Sequence, residues 1–448
     1  MRKEIPEYWK WFTEGRYGAF IHWGPYSQYG HGEQALFRDH LDQKEYAERA
    51  CAWNPKYYDP RLWAKTLKAA GFQYACLTTR HHDGYCLWDS KYTDYTSAKQ
   101  AAGRDFVKEY TEAFRAEGLR VGLYYSLCDW RIPAFFDGPE KDPAGWERMK
   151  RYIFNQVEEL LTNYGQIDQF YFDGIWPRDS DELGSEELIR MMRRLQPHIL
   201  INNRLGLAKK GKVFADGGMG AGESDELGDF GTPEHNITPE ENRLWESCQV
   251  TTWRLWGYTT GERWRSADVL LDMLCECVEK GGNLLLNVGP QADGQLPPEF
   301  VERALQIGRW LSVHGEAIYG TQGGDVTEFI THGRQTVKGN CLYLICRFWD
   351  GEPVLRLMDM ITPVKSVTLL TTNQKLEFEQ NGAELLIRGL PKESPTALFP
   401  VIKIECAGKP EANRWGRERL WFGDPSRIAD WARTRGTSPY MDGLPRDL

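Results

Sequence analysis

Gln166-Ile167-Asp168-Gln169-Phe170-Tyr171-Phe172-Asp173-Gly174 reads as a short apolar strand ending in a carboxylate and a glycine. The helical pattern before it, around Trp146–Tyr164, closes at Gly165, so the strand follows a helix directly. In parallel α/β folds the C-terminal ends of strands carry the chemistry, which puts Asp173 where a catalytic group belongs. Strand alternation sets Phe170 and Phe172 on one face, and Tyr171 with Asp173 on the other. With the phenylalanines packed under a helix, Asp173 points into a barrel mouth and Tyr171 lies beneath it. An aspartate opening an ordinary β-turn before Gly174 is the plainer reading of the same residues.

The alternation continues outward from this stretch. Upstream, Tyr17–Ile21 runs into His22-Trp23-Gly24, and a looser segment holds Gly32-Glu33-Gln34. Helical patterns at Gln43–Ala50 and Pro60–Ala70 precede strand Tyr74–Thr79, which delivers Arg80-His81-His82-Asp83-Gly84. Helix Arg104–Glu117 leads to strand Arg120–Ser126. Downstream come helix Ser185–Leu195, strand His198–Asn202 with Asn203-Arg204 at its end, and an irregular Gly206–Arg243 stretch. Trp245-Glu246-Ser247, helix Ser266–Lys280, strand Asn283–Val288 and helix Pro298–His314 complete the series. Loops are longer after strands than after helices, the mark of an α/β, (β/α)8-like barrel over residues 1–322. From 323 to 407, short β-like runs between Gly, Pro and Asn turns fit a small antiparallel β-sandwich. Residues 408–448 form a tail with no readable period.

A chain of 448 residues exceeds one compact core, so two domains with an appendage are expected. Its 41% hydrophobic content supplies a core, and no run approaches a membrane span. A net charge of −9 lacks the basic face that nucleic acid requires. The 18 tryptophans fit either a large aromatic core or surfaces that stack on sugar rings. The cysteines show no CxxC pair or zinc spacing, and those in apolar runs, such as Cys76 and Cys346, read as reduced small hydrophobes. Met1–Pro6 holds no apolar signal region, so a cytoplasmic protein is expected. Homo-oligomerisation is left open.

Polar groups gather at successive strand ends: His22, His81-His82-Asp83, Tyr124-Tyr125-Ser126, Asp173, Arg204 and Glu246. In a barrel these positions converge on one mouth. Two carboxylates in one site suit glycoside hydrolysis, where their separation decides the stereochemistry. No G-x-S-x-G elbow supports a Ser/His/Asp triad, and no phosphate-cradling glycine motif follows a strand. His22, His81, His82 and Asp83 have the donor types for a metal-dependent hydrolase. Adjacent histidines diverge on regular backbone, however, and neither H-x-H nor HExxH spacing occurs. Imidazoles are equally good partners for sugar hydroxyls, so no metal or cofactor is assigned. A sugar-binding barrel without catalysis is the non-enzymatic alternative, but such barrels usually lose a carboxylate and both candidates stand here.

Several stretches occur in a shared order: Phe20-Ile21-His22-Trp23-Gly24, Leu77-Thr78-Thr79-Arg80-His81-His82-Asp83-Gly84, Gly122-Leu123-Tyr124-Tyr125-Ser126 and Phe172-Asp173-Gly174. Trp245-Glu246-Ser247-Cys248, Trp256-Gly257-Tyr258, Gly281-Gly282-Asn283-Leu284-Leu285-Leu286-Asn287-Val288-Gly289-Pro290 and Gly315-Glu316-Ala317-Ile318-Tyr319-Gly320 follow. Together they resemble the α-L-fucosidases of glycoside hydrolase family 29. The resemblance covers the whole barrel.

It implies a retaining exo-glycosidase acting on α-L-fucosides of a fucosylated oligosaccharide or glycoconjugate through a covalent glycosyl-enzyme. Asp173 matches the family's nucleophile and Glu246 resembles its acid/base, with Glu223 and Glu226 of the irregular stretch in reserve. His22, His81 and His82 match residues that hold the fucose hydroxyls. Arg204 resembles the arginine near the nucleophile, Tyr125 the active-site tyrosine, and Glu33 the glutamate that grips the sugar; Gln34, Tyr171 and Trp256 complete the substrate-binding set. Gln34 and Tyr171 stand where many members carry tryptophan. The first departure bears on fucose itself, because an α-L-galactoside shares its ring configuration and adds only a C6 hydroxyl, which an apolar pocket rejects modestly.

Overall fold

Among the described residues, eight strands form the barrel of the first unit: β1 (Tyr17–Ile21), β2 (Tyr74–Arg80), β3 (Arg120–Ser126), β4 (Gln169–Asp173), β5 (Leu200–Ile201), β6 (Phe230–Gly231), β7 (Leu244–Val250) and β8 (Asn283–Val288). The computed structural model describes residues 5–206, 227–240, 243–324, 326 and 332–412. The chain divides into two compact units, Met1–Gly323 and Gly324–Leu448. The eight strands are parallel, in spatial order β5-β4-β3-β2-β1-β8-β7-β6. A parallel bridge between Asn202 and Phe230 joins the two edges and closes the barrel.

Helices Gln43–Cys51 and Pro60–Ala69 follow β1, Phe106–Ala116 follows β2, and Pro143–Thr162 follows β3. Ser185–Leu195, Ala267–Glu279 and Pro298–His314 follow β4, β7 and β8. Their starts obey local chemistry. Asp59 caps Pro60–Ala69 by accepting from the amides of Arg61 and Leu62, with proline in the first turn, where its missing amide hydrogen costs nothing. Residues 207–226, with Glu223 and Glu226, lie outside the described residues.

The barrel interior fills in layers. At the N-terminal strand ends Tyr74, Gln169, Glu246 and Asn283 hydrogen-bond together. A Cβ at Gly18 would stand 2.2 Å from the Tyr74 ring, so glycine leaves the room that ring occupies. Above them Phe20, Cys76, Tyr171, Cys248 and Leu285 form an apolar layer, with the Phe20 and Tyr171 rings 5.0 Å apart. Phe170 and Phe172 share the opposite face of β4, their rings 4.7 Å apart, as strand alternation requires. Many tryptophans serve the core. Trp53, Tyr58, Trp63 and Phe106 lie 4.7 to 5.1 Å from the buried Trp23 ring. Such pairs contribute about 0.5–1.5 kcal/mol each beyond their buried area.

The second unit is antiparallel. Strands Gly333–Lys338, Cys341–Cys346, Val354–Leu357, Val364–Leu369, Gln374–Asn381, Glu384–Arg388 and Val401–Cys406 enclose an apolar core that includes Leu342, Leu344, Val367, Ile387, Ile402 and Ile404. This is the small β-sandwich expected. Residues 413–448 of the tail lie outside the described residues. Among the described residues no helix is long and apolar enough to cross a membrane.

Candidate active site

Asp173 is the last residue of β4 and is buried. Gly174 turns the chain away with φ +73, a conformation glycine adopts freely, and a Cβ there would come within 3.0 Å of the His82 ring. Tyr124 donates its hydroxyl to Asp173 Oδ2 at 2.8 Å, and Arg204 Nη1 donates to Oδ1 at 2.8 Å. His82 Nε2 stands 3.9 Å from Oδ2. Burial by itself would raise the Asp173 carboxyl. Arg204 and the Tyr124 hydrogen bond work against it, and the group lies below the usual carboxylate range.

Around this carboxylate, imidazole and aromatic rings from neighbouring strand ends and loops pack together. His22 stacks on half-buried Trp256 at 5.2 Å, and the His81 ring lies parallel to Tyr124 at 5.6 Å. The Arg204 guanidinium carbon lies 5.4 Å over the Tyr171 ring, placing Tyr171 beneath the site. Glu33 Oε2 accepts from the amides of Trp256 and Gly257, both at 3.0 Å, which ties the loop after β1 to the loop carrying Trp256. Burial pushes the Glu33 carboxyl up, while those amides draw it back. Among the described residues no three His, Cys, Asp or Glu side chains converge as a metal-binding group.

Three assignments need correction. Glu246 is not in the mouth: its Oε1 accepts from Gln169 at 2.6 Å and its Oε2 from Tyr74 at 2.8 Å, at the opposite end of the barrel. It is fully buried, and burial pushes its carboxyl up to about 8 against those two hydrogen bonds. Tyr125 faces outward, donating to Gln156 of helix Pro143–Thr162 at 2.8 Å under the Arg80 guanidinium. Strand alternation gives the inward position to Tyr124, whose register partner is Tyr171. Gln34 engages Arg38 at 3.2 Å on its own short helix rather than the cluster around Asp173.

Glu234 was invisible to periodicity because it lies in the irregular segment after β6. Arg204 Nη2 donates to Glu234 Oε2 at 2.8 Å, and Arg204 Nε donates to Thr232 Oγ1 at 3.0 Å. One guanidinium therefore holds two carboxylates, Asp173 on one nitrogen and Glu234 on the next. The Glu234 side chain is 16% exposed, and neighbouring His235 packs 4.9 Å from Trp256. Two carboxylates held side by side by one guanidinium can serve nucleophilic displacement with proton transfer.

The family model described as Alpha-L-fucosidase matches residues 2–316. Tissue alpha-L-fucosidase of Bos taurus is 29% identical over 415 residues, covering 87% of this chain and 86% of its own. The solved alpha-L-fucosidase isoenzyme 1 from Paenibacillus thiaminolyticus has a TM-score of 0.80 at 34% identity, over 89% of this chain and 99% of its own. A GH29 alpha-L-fucosidase from Bacteroides thetaiotaomicron, trapped as a covalent intermediate in complex with 2-fluoro-fucosyl fluoride, gives 0.81 at 29% identity, over 90% and 97%. With the barrel, the strand-end cluster and these matches in agreement, the chain belongs to the alpha-L-fucosidase family.

Proposed function

We propose that this protein hydrolyses α-L-fucosides with retention of configuration, Asp173 acting as nucleophile and Glu234 as acid/base. The observation that carries the assignment is the Arg204 bridge, at 2.8 Å to each carboxylate. Neighbouring nitrogens of one planar group keep the pair on the order of 5 Å apart, the spacing retaining enzymes use. Asp173 attacks the anomeric carbon, the bond to the aglycone breaks, and the Glu234 proton passes to the leaving oxygen. Esterified Asp173 carries no charge, and Arg204 then keeps Glu234 as the carboxylate partner of the pair. That carboxylate takes a proton from water, which attacks the same carbon and frees fucose and Asp173. His22, His81 and His82 line the sugar's hydroxyl side, and Trp256 offers an apolar face to its ring.

The substrate class is a fucosylated oligosaccharide or glycoconjugate, as the names of the relatives support. Cys76, Cys86 and Cys346 are buried free thiols, which favours a reducing compartment such as the cytoplasm. A leaving-group series tests the assignment. Glu234→Gln should lose about 10²–10⁴-fold in kcat/KM on a fucosyl disaccharide and far less on an activated aryl fucoside, which needs no proton. Equal losses on both substrates, or the selective loss in Glu246→Gln instead, would overturn it.

A further inference from the structure

Behind two of the mouth histidines, the hydrogen-bond partners leave no freedom over where the ring proton sits. Asn287 Nδ2 donates to the Trp256 carbonyl at 2.6 Å, so its Oδ1 is the atom facing His22 Nδ1 at 2.6 Å. Flipping the amide would press two carbonyl oxygens together. An amide oxygen has no proton to give, so His22 Nδ1 carries the hydrogen. Ser126 Oγ donates its only proton to the Cys128 carbonyl at 2.6 Å. Its lone pairs then accept from His82 Nδ1 at 2.7 Å. His22, His82, Asn287 and Ser126 are all buried, which leaves these partners without competition from bulk water. Burial also lowers both imidazoles below their ordinary value, His22 to about 3, so both rings are neutral at pH 7. His81 differs, its buried Nδ1 having no such partner.

We propose that Asn287 and Ser126 are positioning residues that lock His22 and His82 as Nδ1–H tautomers, so that each ring presents a bare Nε2 to a donating hydroxyl of the sugar. This rests on the function proposed above and deepens it into a specificity rule. The sugar is held best when it supplies two hydroxyl donors, one of them beside the nucleophile, because His82 Nε2 lies 3.9 Å from Asp173 Oδ2. A methyl ether at either position accepts but cannot donate, and sets lone pair against lone pair, whereas a small fluorine, a poor acceptor, only forfeits the bond. Neither lock touches the reacting atoms; each acts through its histidine.

Spectra of ¹⁵N-histidine-labelled protein at pH 7 test the lock directly, with His22→Gln and His82→Gln used for assignment. Both rings should be protonated at Nδ1 and bare at Nε2, and Ser126→Ala should give mixed tautomers at His82 alone. An Nε2–H ring at either position in the wild type, or an unchanged His82 in Ser126→Ala, overturns the proposal. Asn287→Asp supplies a kinetic check. A carboxylate still accepts from Nδ1 but stabilises a doubly protonated His22, whose Nε2 becomes a donor. The charged and titratable groups that already act on His22, namely Asp173, His82, His81 and Arg204, stay as they are in that variant. The acid limb of kcat/KM on an aryl α-L-fucoside should therefore move up by at least one pH unit. A uniform loss parallel to the wild-type profile would mean a merely structural role and count against the lock. The spectra report tautomers whether or not fucosides are cleaved, so a failure of the lock and a failure of the proposed function are separable.

Discussion

Asp173 and Glu246 stand at opposite ends of the barrel interior: Asp173 closes β4 at the mouth, whereas Glu246 is held by Gln169, the first residue of that same strand, at 2.6 Å. Four residues of strand separate those ends by about 13 Å. No loop movement brings a side chain of the inner layer to a sugar in the mouth. Glu246→Gln is therefore expected to keep kcat/KM within about threefold of wild type, as steady-state kinetics on an aryl fucoside would show.

Glu246 instead makes stability depend on pH in an unusual direction. Its folded-state pKa is about 8, above the ordinary 4.5, so the folded protein holds a proton that the unfolded chain releases first. The stability tied to that proton is fully present below pH 4.5 and is lost as pH rises through 8. Each unit of difference corresponds to about 1.4 kcal/mol, so the swing reaches a few kcal/mol. Urea unfolding from pH 5 to 8.5 should show the wild type falling relative to Glu246→Gln. Parallel curves would contradict the buried-proton account.

The adjacent tyrosines of β3 should separate by function. Tyr124→Phe removes the hydroxyl that donates to Asp173 at 2.8 Å, so the nucleophile's pKa rises and the acid limb of kcat/KM moves to higher pH. A loss of about 10–100-fold at pH 5 is expected, shrinking as pH rises. Tyr125→Phe breaks a bond to Gln156 instead, and should cost about 1 kcal/mol of stability with little effect on rate. Swapped phenotypes would reverse the assignment of the two faces.

Arg204→Lys keeps the charge but not the planar fork that spans Asp173 and Glu234. Loss of one arm should reduce kcat/KM about 10²-fold. Near-wild-type activity in the lysine variant would show that charge alone suffices and that the bridge is incidental.

Most of the barrel was legible because most parallel strands are short apolar runs next to a helix, as around Asp173 and Gly174, and the histidines stand directly at strand ends; the two-residue β6 carries no such signal. Legibility failed where position along or around a strand matters. Trp-Glu-Ser marks β7 but not depth, and Glu246 sits in its lower half, where residues close the barrel rather than bind. Tyr124 and Tyr125 differ only in parity, which the Tyr124–Tyr171 register resolves. Glu234 follows a two-residue strand in an irregular segment, where no period distinguishes it from neighbouring acids. Strand Gln374–Asn381 carries little sequence signal, because its alternation is mostly charged and exposed.

The most direct test of the central claim is mass spectrometry of the protein after incubation with 2-deoxy-2-fluoro-α-L-fucosyl fluoride. The substituent slows departure of the covalent sugar more than its arrival on a good leaving group, so a retaining enzyme accumulates one adduct per chain. A single 2-fluorofucosyl adduct is expected on the peptide containing Asp173, and none in Asp173→Ala. An adduct on another carboxylate, or turnover of an aryl fucoside with inversion and no adduct, would contradict it.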